Sequence, residues 1–70
     1  MKKSKKNMHR ADIIAAIRKQ GTTLTQLSID AGLHPRTLAN ALDRKYPKGE
    51  KIISDCINVP VQEIWPERYL

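Results

Sequence analysis

The stretch LTQLSIDAGLHPRTLANAL, residues 24–42, constrains the fold more than any other part of the chain. It carries two short apolar stripes, each too short to be stable as an isolated helix, separated by a glycine and a proline. At 100° per residue, Leu24, Leu27, Ser28 and Ala31 fall within an arc about 100° wide, so one face of a first helix turns inward and Ile29 lies outside it. Gly32 supplies a backbone that can turn sharply between the two helices. Pro35, with its fixed φ and no N–H to satisfy, suits the first position of a second helix, and His34 its N-cap. Two helices that cross at roughly 90–120° over a turn of about 3–4 residues need small groups at the crossing. Ser28 and Ala31 supply them, and the pattern predicts a helix-turn-helix.

The second helix is expected over residues 35–42. Counted from Arg36 at 0°, Leu38, Ala41 and Leu42 fall at about 200°, 140° and 240°, whereas Thr37, Asn40 and Arg44 fall at about 100°, 40° and 80°. The apolar and polar sets do not overlap. A cation, a hydroxyl, an amide and a second cation therefore share the face turned away from the core, and these groups suit phosphate oxygens and the base edges of a major groove. Each of them alone is an ordinary surface residue. Their combination behind a Gly-turn-Pro junction is what points to duplex DNA.

Length bounds the alternatives. Seventy residues make one domain, and a chain of that size buries only about 60% of its unfolded surface, so no large pocket, cofactor or small-molecule ligand is expected. With eight Ile, no Phe, one Trp and two Tyr, the core must be aliphatic and packed between short helices, and no run alternates as a strand would. The expected fold class is all-α, with five short helices and no β-wing. Cys56 is the sole cysteine, which excludes an intrachain disulfide and a zinc site built on paired thiolates. Its spacing with Ile52, Ile53 and Ile57 reads as core packing. His9 and His34 have no second ligand type at metal spacing, so no metal is expected. No grouping of His, Cys, Ser and acid has catalytic spacing, and no glycine loop could cradle a phosphate, so the chain does not read as an enzyme.

Charge is unevenly distributed. The net charge is +6, but Lys2, Lys3, Lys5, Lys6 and Arg10 stand in the first ten residues without an acid, leaving +1 for the other sixty. Residues 1–8 read as a disordered basic arm and residues 9–70 as the folded domain. Such an arm either neutralises phosphates beside a major-groove helix or serves as a solubilising terminus. The charged start resembles the opening of an export signal, but Asp12 and Arg18 stand where such a signal needs an unbroken apolar run. No apolar run approaches the roughly 18 residues of a membrane span. A cytoplasmic, nucleoid-associated location without a membrane partner is expected.

Elsewhere, residues 11–20 read as a helix that buries Ile13, Ile14 and Ile17 and ends at Gly21, after which Thr22 or Thr23 caps the next. Residues 44–50 contain Pro47 and Gly49 and read as a loop, whose Arg44, Lys45 and Lys48 make it a candidate phosphate clamp. Residues 51–57 read as a fourth helix, closed by Asn58 in a left-handed conformation. Residues 60–64 read as a short fifth one that presses Val61, Ile64 and Trp65 onto the bundle before Pro66 stops it. Ile29 and the stretch after Trp65, with Tyr69 and Leu70, are candidate surfaces for protein contact. Heptads are absent, so a homodimer would not be a coiled coil and is expected to form mainly on DNA.

The blocks HRADIIAAI, TLANAL, YPKGE and EIWPERY, in this order between His9 and Tyr69, resemble the Ner family of Mu-like phage regulators and their bacterial relatives. That resemblance implies a lambda-repressor-like helical fold, sequence-specific binding of duplex DNA and transcriptional control, usually repression in the phage members and activation in some bacterial ones. It also implies a DNA-contacting set of Pro35, Arg36, Thr37 and Asn40, flanked by backbone contacts from His34, Arg44, Lys45 and Lys48. The arm here is richer in lysine than the phage members lead one to expect. The family is sometimes described as winged, but no alternating segment comes after Pro47 and Gly49. Two other classes compete with a sequence-specific regulator: an architectural DNA- or RNA-binding protein driven by the arm, and a helix-turn-helix module that binds protein.

Overall fold

A computed structural model of the chain describes residues 6–69. Every regular element among them is helical: α1 (Arg10–Lys19), α2 (Leu24–Asp30), α3 (Thr37–Asp43), α4 (Pro47–Ile57), α5 (Val61–Ile64) and a final 3-10 turn, Pro66–Arg68. None of these helices is long and apolar enough to cross a membrane.

Local chemistry explains most of the boundaries. His9 starts α1 by accepting the Ala11 N–H at Nδ1, 3.0 Å away, and Gly21 ends the segment with φ 82°. Of the two candidate threonines Thr23 takes the cap of α2, its hydroxyl accepting the Gln26 N–H at 3.1 Å. The Thr22 hydroxyl is buried without a partner among the described residues. Gly32, at φ 76°, lets the Leu33 N–H return to the Ser28 carbonyl at 2.8 Å, the 6→1 bond that closes a helix. Asn58 closes α4 at φ 60°.

Three expectations need correction. The second helix of the motif begins at Thr37, not Pro35, and His34 does not cap it as expected; Pro35 and Arg36 form the turn before it. The reason lies across the interface: the Leu38 N–H donates to the Ser28 hydroxyl at 3.1 Å instead of to the carbonyl of His34, which takes the Thr37 N–H at 2.9 Å. The same Ser28 hydroxyl donates to the Leu24 carbonyl at 3.1 Å, so one fully buried serine ties the two helices together. Ala31, expected at the crossing, is exposed at the end of α2, because the backbone is already turning toward Gly32. The third correction is the loop expected over residues 44–50, which shortens to three residues. Pro47 opens α4 at its first position, and Glu50 in the first turn accepts the Tyr46 N–H at 2.8 Å while its own N–H returns to the Tyr46 carbonyl at 2.9 Å. The second bond is the first of the helix itself; the first is a cap, with the carboxylate satisfying an N–H at the start of α4.

The core consists of Ile13, Ile17, Leu38, Ala41, Ile53, Ile57, Ile64 and Trp65. Leu42, Ile52, Cys56 and Val61 are half-buried around it; burial pushes the Cys56 thiol up from its ordinary value, which leaves little thiolate to react. Asn7 and Met8, assigned to the arm by composition, are held against the end of the chain. Met8 donates its N–H to the Ile64 carbonyl at 2.8 Å, and the Asn7 side-chain oxygen accepts the Glu67 N–H at 3.0 Å.

Gly49 is buried in the first turn of α4 for a steric reason. A Cβ there would lie 2.7 Å from Tyr46 Cδ2 and 3.1 Å from Leu38 Cδ2. Alanine normally gains about 1 kcal/mol over glycine within a helix. Gly49→Ala is nonetheless expected to destabilise the domain by about 1–3 kcal/mol, because the Tyr46 ring has to leave its seat. Urea unfolding of the variant beside the wild type checks this.

Candidate nucleic-acid interface

Thr37 and Asn40 lie on α3, but Arg44, expected to share their helix face, is past its end, in extended backbone at φ -145°; all three nonetheless line, with Lys45 and Tyr46, an open cleft of about 220 Å³. Arg36 is exposed in the turn just before it, next to His34 and Pro35, which are exposed as well. The His34 ring is engaged locally, with Nδ1 accepting the Arg36 N–H at 3.1 Å. This bond holds the turn that presents Arg36. Lys48 is exposed in the first turn of α4, beyond the three-residue connection, whose two cations, Arg44 and Lys45, line the cleft beside α3.

The N-terminal cations divide. Lys6 is exposed, and Lys2, Lys3 and Lys5 lie outside the described residues. Arg10 is the first residue of α1 and pairs with Asp43 at the end of α3, 2.7 Å away. Both side chains are more than half exposed, so the pair contributes little to stability, but it brings the Arg10 cation to the α3 side of the molecule.

The feature that residue patterns do not reveal lies beneath this face. Glu50 is fully buried. Its Oε2 accepts from Arg68 Nη1 at 2.9 Å and from the Tyr46 N–H at 2.8 Å, and its Oε1 accepts from the Tyr69 hydroxyl. Burial pushes the carboxyl up, but the bonds from Tyr69, the Tyr46 backbone and Arg68 outweigh it and hold it below its ordinary value of 4.5. The Tyr69 phenol is pushed up, first by that hydrogen bond to the carboxylate and then by burial.

Arg68 does more than neutralise the carboxylate. Nη1 also donates to the Ala41 carbonyl at 2.8 Å and Nη2 to the Leu42 carbonyl at 3.3 Å. These belong to the last turn of α3, whose carbonyls have no partner within the helix and where a cation is electrostatically favoured. The guanidinium also lies 4.9 Å from the centre of the Trp65 ring, and the Lys45 ammonium stands 5.0 Å over the Tyr69 ring. Tyr69, read as a candidate surface patch, is thus half-buried and committed inward, while Leu70 lies outside the described residues. Ile29 stays on the outer face, 49% exposed. One signal in the sequence pointed to the cluster: an acid three residues after Pro47, as at a helix start.

The family model described as winged helix-turn-helix DNA-binding matches residues 7–70. A negative regulator of transcription from Escherichia phage D108 is 47% identical over 66 residues, covering 94% of this chain and 90% of that protein. The sugar fermentation stimulation protein B of Escherichia coli is 51% identical over 61 residues, 87% of this chain and 66% of its own length. The solution structure of the Mu Ner protein superposes with a TM-score of 0.78 at 47% identity, covering 91% of this chain and 86% of that one. The chain belongs to the winged helix-turn-helix DNA-binding family and, within it, to the Ner-type regulators.

Proposed function

We infer that this protein is a sequence-specific regulator of transcription, a repressor, that places segment 35–42, helical from Thr37, in the major groove of duplex DNA. The observation that carries the reading is the cleft beside α3: Thr37, Asn40 and Arg44 line it together with Lys45, and Arg36 stands exposed just ahead. A helix that exposes the Asn40 amide, with Arg36 in the turn before it and a basic connection behind it, has the parts for base reading and for phosphate anchoring. Repression fits the names of its phage relatives, which are negative regulators of transcription. Regulation of this kind works by occupancy and needs no catalytic group.

The protein binds as a homodimer that forms on the operator, with half-sites about one helical turn apart. Selection from a random duplex pool tests specificity and symmetry together. An enriched inverted repeat is the expected result; a pool without enrichment would favour an architectural protein driven by its arm.

Within the selected site, Arg36 suits guanine and Asn40 suits adenine. Alanine at the residue that reads a base is expected to cost about 1–3 kcal/mol on the preferred duplex and to leave binding to scrambled duplex nearly unchanged. If both variants select the wild-type consensus with undiminished discrimination, the reading face has been wrongly assigned.

Lys2, Lys3, Lys5, Lys6 and Arg10 supply phosphate neutralisation in this reading. Deletion of residues 1–6 removes the four lysines and spares Asn7, which accepts the Glu67 N–H. For every phosphate that the shortened protein no longer neutralises, the slope of log K against log salt is expected to flatten by roughly 0.9. An unaltered slope would mean that the arm takes no part.

A further inference from the structure

We propose that Arg68 and Tyr69 are positioning residues for DNA reading: through the buried carboxylate of Glu50 they hold the end of α3 and the basic connection after it in one fixed relation. The proposal rests on the reading of α3 as the groove-binding helix.

Three parts of the candidate interface converge on this one carboxylate. Arg68 grips the Ala41 and Leu42 carbonyls and Glu50 together, which ties down the last turn of α3. The Tyr46 N–H, donated to the same carboxylate, fixes the connection that carries Arg44 and Lys45. Tyr69 completes the set, since its hydroxyl is on Glu50 and its ring lies under the Lys45 ammonium. With side chains 0% and 13% exposed, Glu50 and Arg68 act on DNA only through what they hold.

The physical need is angular. A helix of seven residues is not rigid by itself, and its rotation about its own axis decides which side chain meets which base edge. Two adjacent carbonyls held by one planar guanidinium fork leave that rotation little freedom. A lysine could keep the charge but not the fork. Base readout demands placement within roughly 0.5 Å and 10–20°, whereas attraction to phosphates tolerates misalignment because it is a longer-ranged electrostatic effect. Loosening the network should therefore erode discrimination before it erodes general affinity for DNA.

The test uses the full chain and the duplex that the wild type itself selects. Affinities for that duplex and for a scrambled one are measured for wild type, Arg68→Lys, Arg68→Met and Ile64→Val, each without urea and at a temperature where circular dichroism shows it fully folded. Ile64→Val controls for destabilisation, as Ile64 lies in the core and its side chain bonds to none of these groups. The ratio of specific to non-specific affinity is expected to fall by about tenfold in both Arg68 variants, the size of one good base-edge pairing, and to hold in Ile64→Val. Should Arg68→Met fail to fold, Arg68→Lys carries the comparison by itself. An unchanged ratio in a folded Arg68 variant, or an equal fall in Ile64→Val, overturns the proposal. A wild type that prefers no duplex would instead remove the reading of α3 on which it rests.

Discussion

Glu50→Ala is expected to lower the unfolding free energy by about 3–5 kcal/mol, the cost of breaking a buried ion pair by removing one partner. The Arg68 guanidinium would keep its bonds to the Ala41 and Leu42 carbonyls but lose its counter-charge in a site that is nearly dry. The Tyr46 N–H and the Tyr69 hydroxyl would lose their acceptor as well. A domain of this size has a stability near the lower end of roughly 5–15 kcal/mol, so the variant should be close to unfolded without DNA. Urea unfolding followed by circular dichroism measures the loss; a drop under about 1 kcal/mol, the size of an ordinary surface pair, would contradict the buried geometry.

The same carboxylate makes stability depend on pH in a stated direction. Its folded value lies below the ordinary 4.5, so the ionised form is favoured by the fold. The contribution is fully present above the unfolded value and is lost as pH falls through the folded one. Wild-type stability should decline as the solution is acidified below about pH 4.5, and Glu50→Gln, with no proton to take up there, should decline less steeply. Parallel curves for the two proteins would show that other carboxylates govern acid unfolding.

Trp65→Ala is the second large effect, expected at about 3–5 kcal/mol. Trp65 is the largest of the fully buried side chains, 1% exposed, at the junction between α5 and the final turn. A chain with so few aromatic residues has nothing else of that volume to fill the void. The ring also carries the Arg68 guanidinium on its face, an interaction worth about 0.5–2 kcal/mol, so its loss reaches the network under α3. Trp65→Phe should retain most of the stability. Because duplex binds only the folded state, a saturating amount of the preferred site should raise the unfolding midpoint of Trp65→Ala; a variant that remains unfolded with that duplex present would place the damage beyond a simple shift in equilibrium.

Residues whose role is local could be read directly from the chain. Gly21, Gly32 and Asn58 stand where the backbone turns left-handed, Thr23 where a helix needs an acceptor, and the apolar spacing of Ile13, Ile17, Leu38, Ala41, Ile53, Ile57 and Ile64 already marked the core, although it also marked Ile14, which is only half-buried. The outer face of α3 was legible in part for the same reason, since the positions of Thr37 and Asn40 derive from 100° per residue along one helix, whereas Arg44 stands past the end of α3 in extended backbone and reaches their cleft by another path. What the sequence could not show was any bond formed across a long stretch of chain. Ser28 was legible as a small residue, but its hydroxyl intercepts the Leu38 N–H ten positions away and so moves the start of α3 from Pro35 to Thr37. Pro47 and Gly49 together suggested a loop, and here the missed bond is local: Glu50 reaches only four residues back to Tyr46 and makes their segment the first turn of α4. Glu50, Arg68 and Tyr69 each look like surface residues in one dimension, because a charge or a phenol is mostly exposed unless a partner is at hand. Only the tertiary fold brings Arg68 onto carbonyls 26 and 27 residues upstream. Periodicity and backbone preference are properties of neighbours in sequence and can be read there, whereas burial of a charge depends on whether distant parts of the chain close around it.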